Sequence, residues 1–86
     1  MNKIAAIGDR ESLFAYEIIG ADVYTADESN GRQIINFAVK SNYSVILVTE
    51  PLYEKLRGFI SDIKLRFNGS VTAIPSISKI PVNTYA

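Results

Sequence analysis

The sequence predicts an α/β fold, a four-stranded parallel sheet of order 2-1-3-4 with helices on its faces, from three observations. Short β-prone runs alternate with longer stretches of helical period; Val45-Ile46-Leu47-Val48 is continuously apolar; and capping residues, glycines and a proline fall at the joints. A continuously apolar run fits an interior strand covered on both faces.

The first strand is expected over 3–7, and Gly8-Asp9 turns the chain into a helix that Asp9 can cap. In that helix Leu13, Tyr16 and Ile19, with Phe14 and Ile18, follow three- and four-residue spacings, and Gly20 ends it. The second strand, 22–25, has only Val23 and Tyr24 as strongly β-prone residues and reads as an edge. A second helix is expected to start at 27–29, to bury Ile34, Ile35, Ala38 and Val39, and to close near Asn42, with Gly31 weakening its first turn.

The third strand spans 44–49. After it, Thr49 or Glu50 can cap a helix, Pro51 suits the first helical position, and Leu52, Leu56, Ile60, Ile63 and Phe67 hold one face. Lys55, Arg57, Lys64 and Arg66 fill the other faces as an ordinary solvated surface, and Asn68-Gly69 stops the helix before a fourth strand at 71–74. Right-handed crossovers put the first helix on one face and the next two on the other. From Pro75 onward, two prolines and several β-branched residues make a poor helix, so half of one sheet face lacks a cover. Ile77, Ile80, Val82 and Tyr85 are available to cover it, and otherwise the patch favours self-association.

The 86 residues are expected to form one domain over 1–86, of a size that buries only about 60% of its unfolded surface. Nine basic and nine acidic side chains give a formal net charge of zero, which argues against nonspecific nucleic-acid binding. The chain has no cysteine and no histidine, which removes disulfides, thiolate nucleophiles, serine–histidine triads and the usual zinc sites. No apolar stretch approaches the roughly 20 residues that span a bilayer, and the start is unlike a secretory leader, so a cytoplasmic protein is expected.

Chemistry in such sheets gathers at the carboxyl ends of the strands, which makes Gly8-Asp9 and Thr49-Glu50 the places to search. Asp9 and Glu50 would end neighbouring strands, where two carboxylates could share a magnesium ion as in a phospho-acceptor receiver domain. A receiver needs a second carboxylate beside the first, an aspartate ending strand three and a lysine ending strand four. Arg10, Thr49-Glu50 and Pro75-Ser76 stand there instead, and helix capping is the favoured role. Gly8-Asp9-Arg10-Glu11-Ser12 also joins a strand to a helix start, but one glycine and two carboxylates do not make a phosphate loop. Tyr16, Tyr43 and Tyr53 are expected to pack rather than catalyse. No catalytic, cofactor-binding or metal-binding residue is therefore assigned.

With these motifs laid out, the sequence resembles the F subunit of V-type and A-type ATPases. The resemblance rests on Lys3-Ile4, Ile7-Gly8-Asp9-x-x-Ser12, Tyr16, Gly20 and Asp22-Val23, and on Tyr43-Ser44-Val45-Ile46, Val48-Thr49-Glu50 and Ala73-Ile74-Pro75. It implies a Rossmann-like three-layer sandwich acting as a nonenzymatic rotor component of the central stalk. Such a protein docks on the coiled coil of the stalk's D subunit inside the A and B hexamer, which itself turns over ATP, and helps couple rotation to proton or sodium transport at the membrane. It carries no cofactor. Where the family has a glycine-rich connection and a C-terminal helix, this sequence has Ile77-Ser78-Lys79-Ile80-Pro81, so that helix is expected to be absent or shortened. A degenerate receiver-like signalling domain with magnesium at Asp9 and Glu50 is the alternative.

Overall fold

The computed structural model describes residues 3–76. Its elements are β1 (Ile4–Gly8), α1 (Arg10–Ile18), β2 (Asp22–Thr25), α2 (Gly31–Lys40), β3 (Val45–Thr49), α3 (Glu50–Lys55), α4 (Arg57–Lys64) and β4 (Ser70–Ile74). The strands form one all-parallel sheet in the expected order β2-β1-β3-β4, an α/β Rossmann-like arrangement. Ile7 pairs with Tyr24 on one side and Val48 on the other, and Val48 pairs in turn with Ala73. The expected shortening of a C-terminal helix, and the apolar residues Ile77, Ile80, Val82 and Tyr85, lie outside the described residues.

Helices α2, α3 and α4 cover one face of the sheet. There Ala5, Ile7, Ile35, Ile46, Val48, Leu52, Leu56, Ile60, Ile63 and Val71 form the main core. Each large aliphatic side chain buried in it stabilises the fold by about 1.5–3 kcal/mol. The other face carries α1 over β1 and β2, with Leu13 set against the small residues Ala6 and Ala21. No other described helix lies on this side. Among the described residues no helix covers the half-face over β3 and β4, where Thr72 is exposed and Val45 and Leu47 are half-buried; Ile4 of β1 beside it is 37% exposed, while Ile74 at the carboxyl end of β4 is buried with Ala6 and Leu13.

Three local expectations need correction. In α1 Leu13 is the one buried apolar side chain and Tyr16 is half-buried, whereas Phe14, Ile18 and Ile19 are 65%, 69% and 76% exposed. A helix lying on a flat sheet touches it along one line, and the second apolar line of α1 faces solvent. Its end is as expected: Gly20 adopts φ 104°, with Gly20 N–H bonded to the Glu17 carbonyl and Ala21 N–H to the Tyr16 carbonyl, the paired bonds of a Schellman motif.

Helix α2 starts at Gly31, not at 27–29. Asp27 Oδ1 accepts from both the backbone N–H and the hydroxyl of Ser29, and Asn30 Oδ1 accepts from the Asp27 N–H, so these side chains hold a turn in place of a first helical turn. Gly31 is there for space: a Cβ would come within 2.6 Å of Leu56 Cδ1.

The third predicted helix is two helices. Leu56 separates them with φ −110° and ψ 21°, yet Leu52, Leu56, Ile60 and Ile63 keep one buried seam through the break.

Candidate functional site

In a doubly wound sheet, ligands sit beyond the carboxyl ends of the strands, where neighbouring strands send their connections to opposite faces. Here β1 feeds α1 on one face and β3 feeds α3 on the other, so that point lies between Gly8 and Thr49. It is filled. Gly8 adopts φ 154°, and a Cβ on it would stand 2.2 Å from Thr49 Oγ1, while Thr49 itself is only 1% exposed. The Gly8 carbonyl accepts from the Ala26 N–H at 2.9 Å, which ties the end of β1 to the chain leaving β2.

Asp9 caps α1 as expected, with extended backbone at φ −77° and ψ 145°. Its Oδ2 accepts from the Ser12 N–H at 3.1 Å and from the Ser12 hydroxyl at 2.7 Å, and its Oδ1 accepts from the Ser76 hydroxyl at 3.4 Å. Ser12 Oγ and Ser76 Oγ lie 3.1 Å apart, and both serines are 2% exposed. Partial burial pushes the Asp9 carboxyl up. The hydrogen bonds from the Ser12 side chain and backbone, together with that from Ser76, outweigh it and hold the carboxyl below the usual 3.8. The α1 start thus offers its amides to its own aspartate, and a carboxylate seated there opposes a bound phosphate.

Ser76 had no local signal as a member of this cluster. Its partners lie more than sixty positions away, and only the β3–β4 pairing brings it back to α1. Glu50 is the exposed first residue of α3, with Pro51 in the first turn and Thr49 at the cap position, where its side chain makes no capping hydrogen bond. Among the described residues, no group of three or more acidic, histidine or cysteine side chains stands together.

The tyrosines pack. Tyr43 is buried and donates to Asp22 Oδ2 at 2.7 Å, while its oxygen lies 2.5 Å from that of Tyr24. Burial, then the hydrogen bonds with Tyr24 and Asp22, push its hydroxyl far above the ordinary phenol value of 10.0. Tyr53 lies under two cations, Arg57 at 5.7 Å and Lys64 at 5.5 Å, and Arg57 also pairs with exposed Glu54. Lys55, Arg57, Lys64 and Arg66 are exposed, as a solvated face requires. A hollow of about 230 Å³ between α1 and β2 is lined by Arg10, Leu13, Phe14, Glu17, Val23 and Thr25, with no convergent set of reactive groups.

The family model for the ATP synthase (F/14-kDa) subunit matches residues 4–84. The chain belongs to this F/14-kDa family of ATP synthase subunits. It is 39% identical to the F subunit of the V-type ATP synthase of Fusobacterium nucleatum over 84 residues, 96% of this chain and 74% of that protein. It is 31% identical to the F subunit of the A-type ATP synthase of Methanothermobacter thermautotrophicus over 87 residues, 96% of this chain and 76% of that one. The F subunit of a V-type ATP synthase of Clostridium perfringens is 29% identical over 86% of the chain and 71% of its own length. The matched span of this F-family chain takes in every described strand and the Asp9–Ser12–Ser76 cluster. No described helix of the chain is long and apolar enough to cross a membrane.

Proposed function

We propose that the chain is a non-catalytic rotor subunit of the central stalk of a V/A-type ATPase. Residues 1–86 act as one domain that grips the coiled coil of the stalk's D subunit. In doing so they help couple ATP hydrolysis or synthesis in the A/B hexamer to proton or sodium transport. The protein sits in the cytoplasm, peripheral to the membrane, and takes no cofactor. The observation that carries this reading is the 39% identity to the F subunit of a V-type ATP synthase across 96% of the chain.

The geometry at the carboxyl ends of the strands supports a role played through shape. Thr49 occupies the switch point, the Ser12 amide of α1 is capped by Asp9, and both Asp9 carboxylate oxygens accept hydrogen bonds. A corner locked in this way serves to transmit torque, which requires stiffness and not a reacting group.

Mixing the chain with the folded D subunit and running both on a sizing column tests the proposal. A joint peak at one-to-one stoichiometry is expected. A D subunit that leaves this chain at its own elution volume, across micromolar concentrations of both, overturns it.

A further inference from the structure

We propose that β2 is the contact edge of a homodimer, in which two copies of this chain join their sheets across a two-fold axis. Among the described residues β2 is an edge strand, with β1 as its single neighbour. The Ala26 N–H returns to the Gly8 carbonyl, and along a pleated strand the backbone groups that face one neighbour alternate. Tyr24 therefore bonds β1 as well, while Val23 and Thr25 turn their N–H and C=O groups outward. β2 holds neither lysine nor proline, and its pairing with β1 runs without a bulge, so it lacks the usual devices that keep free edges apart. An antiparallel second copy with Tyr24 on the axis sets Val23 opposite the second copy's Thr25, where the two residues exchange both backbone bonds.

Apolar side chains flank this edge on both faces of the sheet. Phe14 and Ile18 stand on the α1 side, and Phe37 on the α2 side packs edge-on against Tyr24 at 5.7 Å; each is more than half exposed. Strands lie about 4.8 Å apart, so α1, which rests on both β1 and β2, would stand about 10 Å from its copy, the spacing of packed helices. Charge decides that the occupant is a second copy. Arg10, Phe14 and Glu17 line the hollow beside Val23 and Thr25, and both charged residues are exposed and without an ion pair among the described residues. Each is set against the dipole of its own helix, a cation at the positive amino end and an anion in the last turn. An antiparallel copy of α1 corrects both: Arg10 meets the second copy's Glu17, the reciprocal pair forms as well, and each charge faces a helix end of opposite sign. Glu11 does not line this hollow, and Asp22 projects with Tyr24 to the other face, where its carboxylate accepts from the Tyr43 hydroxyl.

The test is sedimentation of the intact chain alone from micromolar to millimolar concentration, joined to amide hydrogen exchange. No other stalk protein is present, so failure here leaves the rotor proposal untouched. An equilibrium between one copy and two is expected, with exchange at Val23 and Thr25 slowing as the dimer fills. Arg10→Glu or Glu17→Arg alone sets like charges against each other at both contacts and should weaken the dimer about five-fold or more. The two substitutions together exchange the charges and should restore it. Both positions are exposed, and an unchanged circular dichroism melt establishes that each variant is folded. The proposal is overturned by a single species at every concentration, or by exchange at Val23 and Thr25 that ignores concentration. It is overturned equally by single variants that associate as the parent does, by a double variant as weak as the singles, or by an association that only Ile4→Lys removes.

Discussion

One added methyl group at Gly8 meets two obstacles together: φ of 154° and a Thr49 side chain within 2.2 Å. Gly8→Ala should therefore cost about 2 kcal/mol or more, seen as a lower urea midpoint with unchanged slope. Trimming the obstacle with Thr49→Ala in the same chain should recover part of that loss, and no recovery would mean that backbone strain alone sets the cost. Asp9→Asn keeps a capping oxygen but gives up the charge, so its effect depends on pH. The folded Asp9 carboxyl lies below its ordinary 3.8, so its stabilisation is complete above that value and disappears as the pH falls through the lower folded one. Parent and Asp9→Asn stabilities should converge in that acid window, and a constant difference down to about pH 2 would contradict the assignment. Tyr43 has the opposite sign. Its hydroxyl is raised above 10.0, so its contribution holds below that pH and is lost as the pH climbs through the folded value. Tyr43→Phe should cost about 1 kcal/mol at neutral pH and soften the alkaline loss of stability, measured by circular dichroism melts.

At the scale of elements, the strands and their order were legible because apolar runs and right-handed crossovers leave few arrangements. The Asp9 cap and the Gly20 stop were legible for the same reason, since each acts within a few residues of its own sequence. Gly31 was not. Read locally it is a weak helix residue, but its lack of a side chain admits Leu56 from another element. Gly31→Ala should gain about 1 kcal/mol of helix propensity and still lose stability overall, unless Leu56 is shortened. A denaturation cycle over Gly31→Ala and Leu56→Ala should find the double variant more stable than the sum of the single losses. The split between α3 and α4 was hidden because the apolar seam runs on unbroken through Leu56. The exposure of Phe14 and Ile18 was hidden because periodicity marks an apolar line without saying whether anything packs on it.

Across the whole molecule, the open half-face over β3 and β4 is the largest departure from a closed three-layer arrangement among the described residues. If it drives self-association, the sedimentation coefficient should rise with concentration, and Ile4→Lys, placed at a residue already 37% exposed, should suppress that rise with little change in melting. A parent chain that sediments as one species from micromolar to millimolar concentration would rule this out. The candidate site was legible in its first half only: Asp9 and Ser12 stand three positions apart in the sequence, and nothing in the sequence joins them to Ser76.

That joining gives the three hydroxyl and carboxylate contacts a mechanical meaning. Among the described residues β4 is an edge strand with a single neighbour, and Ser76 fastens its end across β3 to the start of α1. The clasp cannot close until β4 has paired, so it belongs to the last steps of folding and the first of unfolding. Ser76→Ala should speed amide hydrogen exchange in Val71 through Ile74 while β1 exchanges as before. Under load the β4 side would then lose its fastening, which makes one buried serine the latch on that edge.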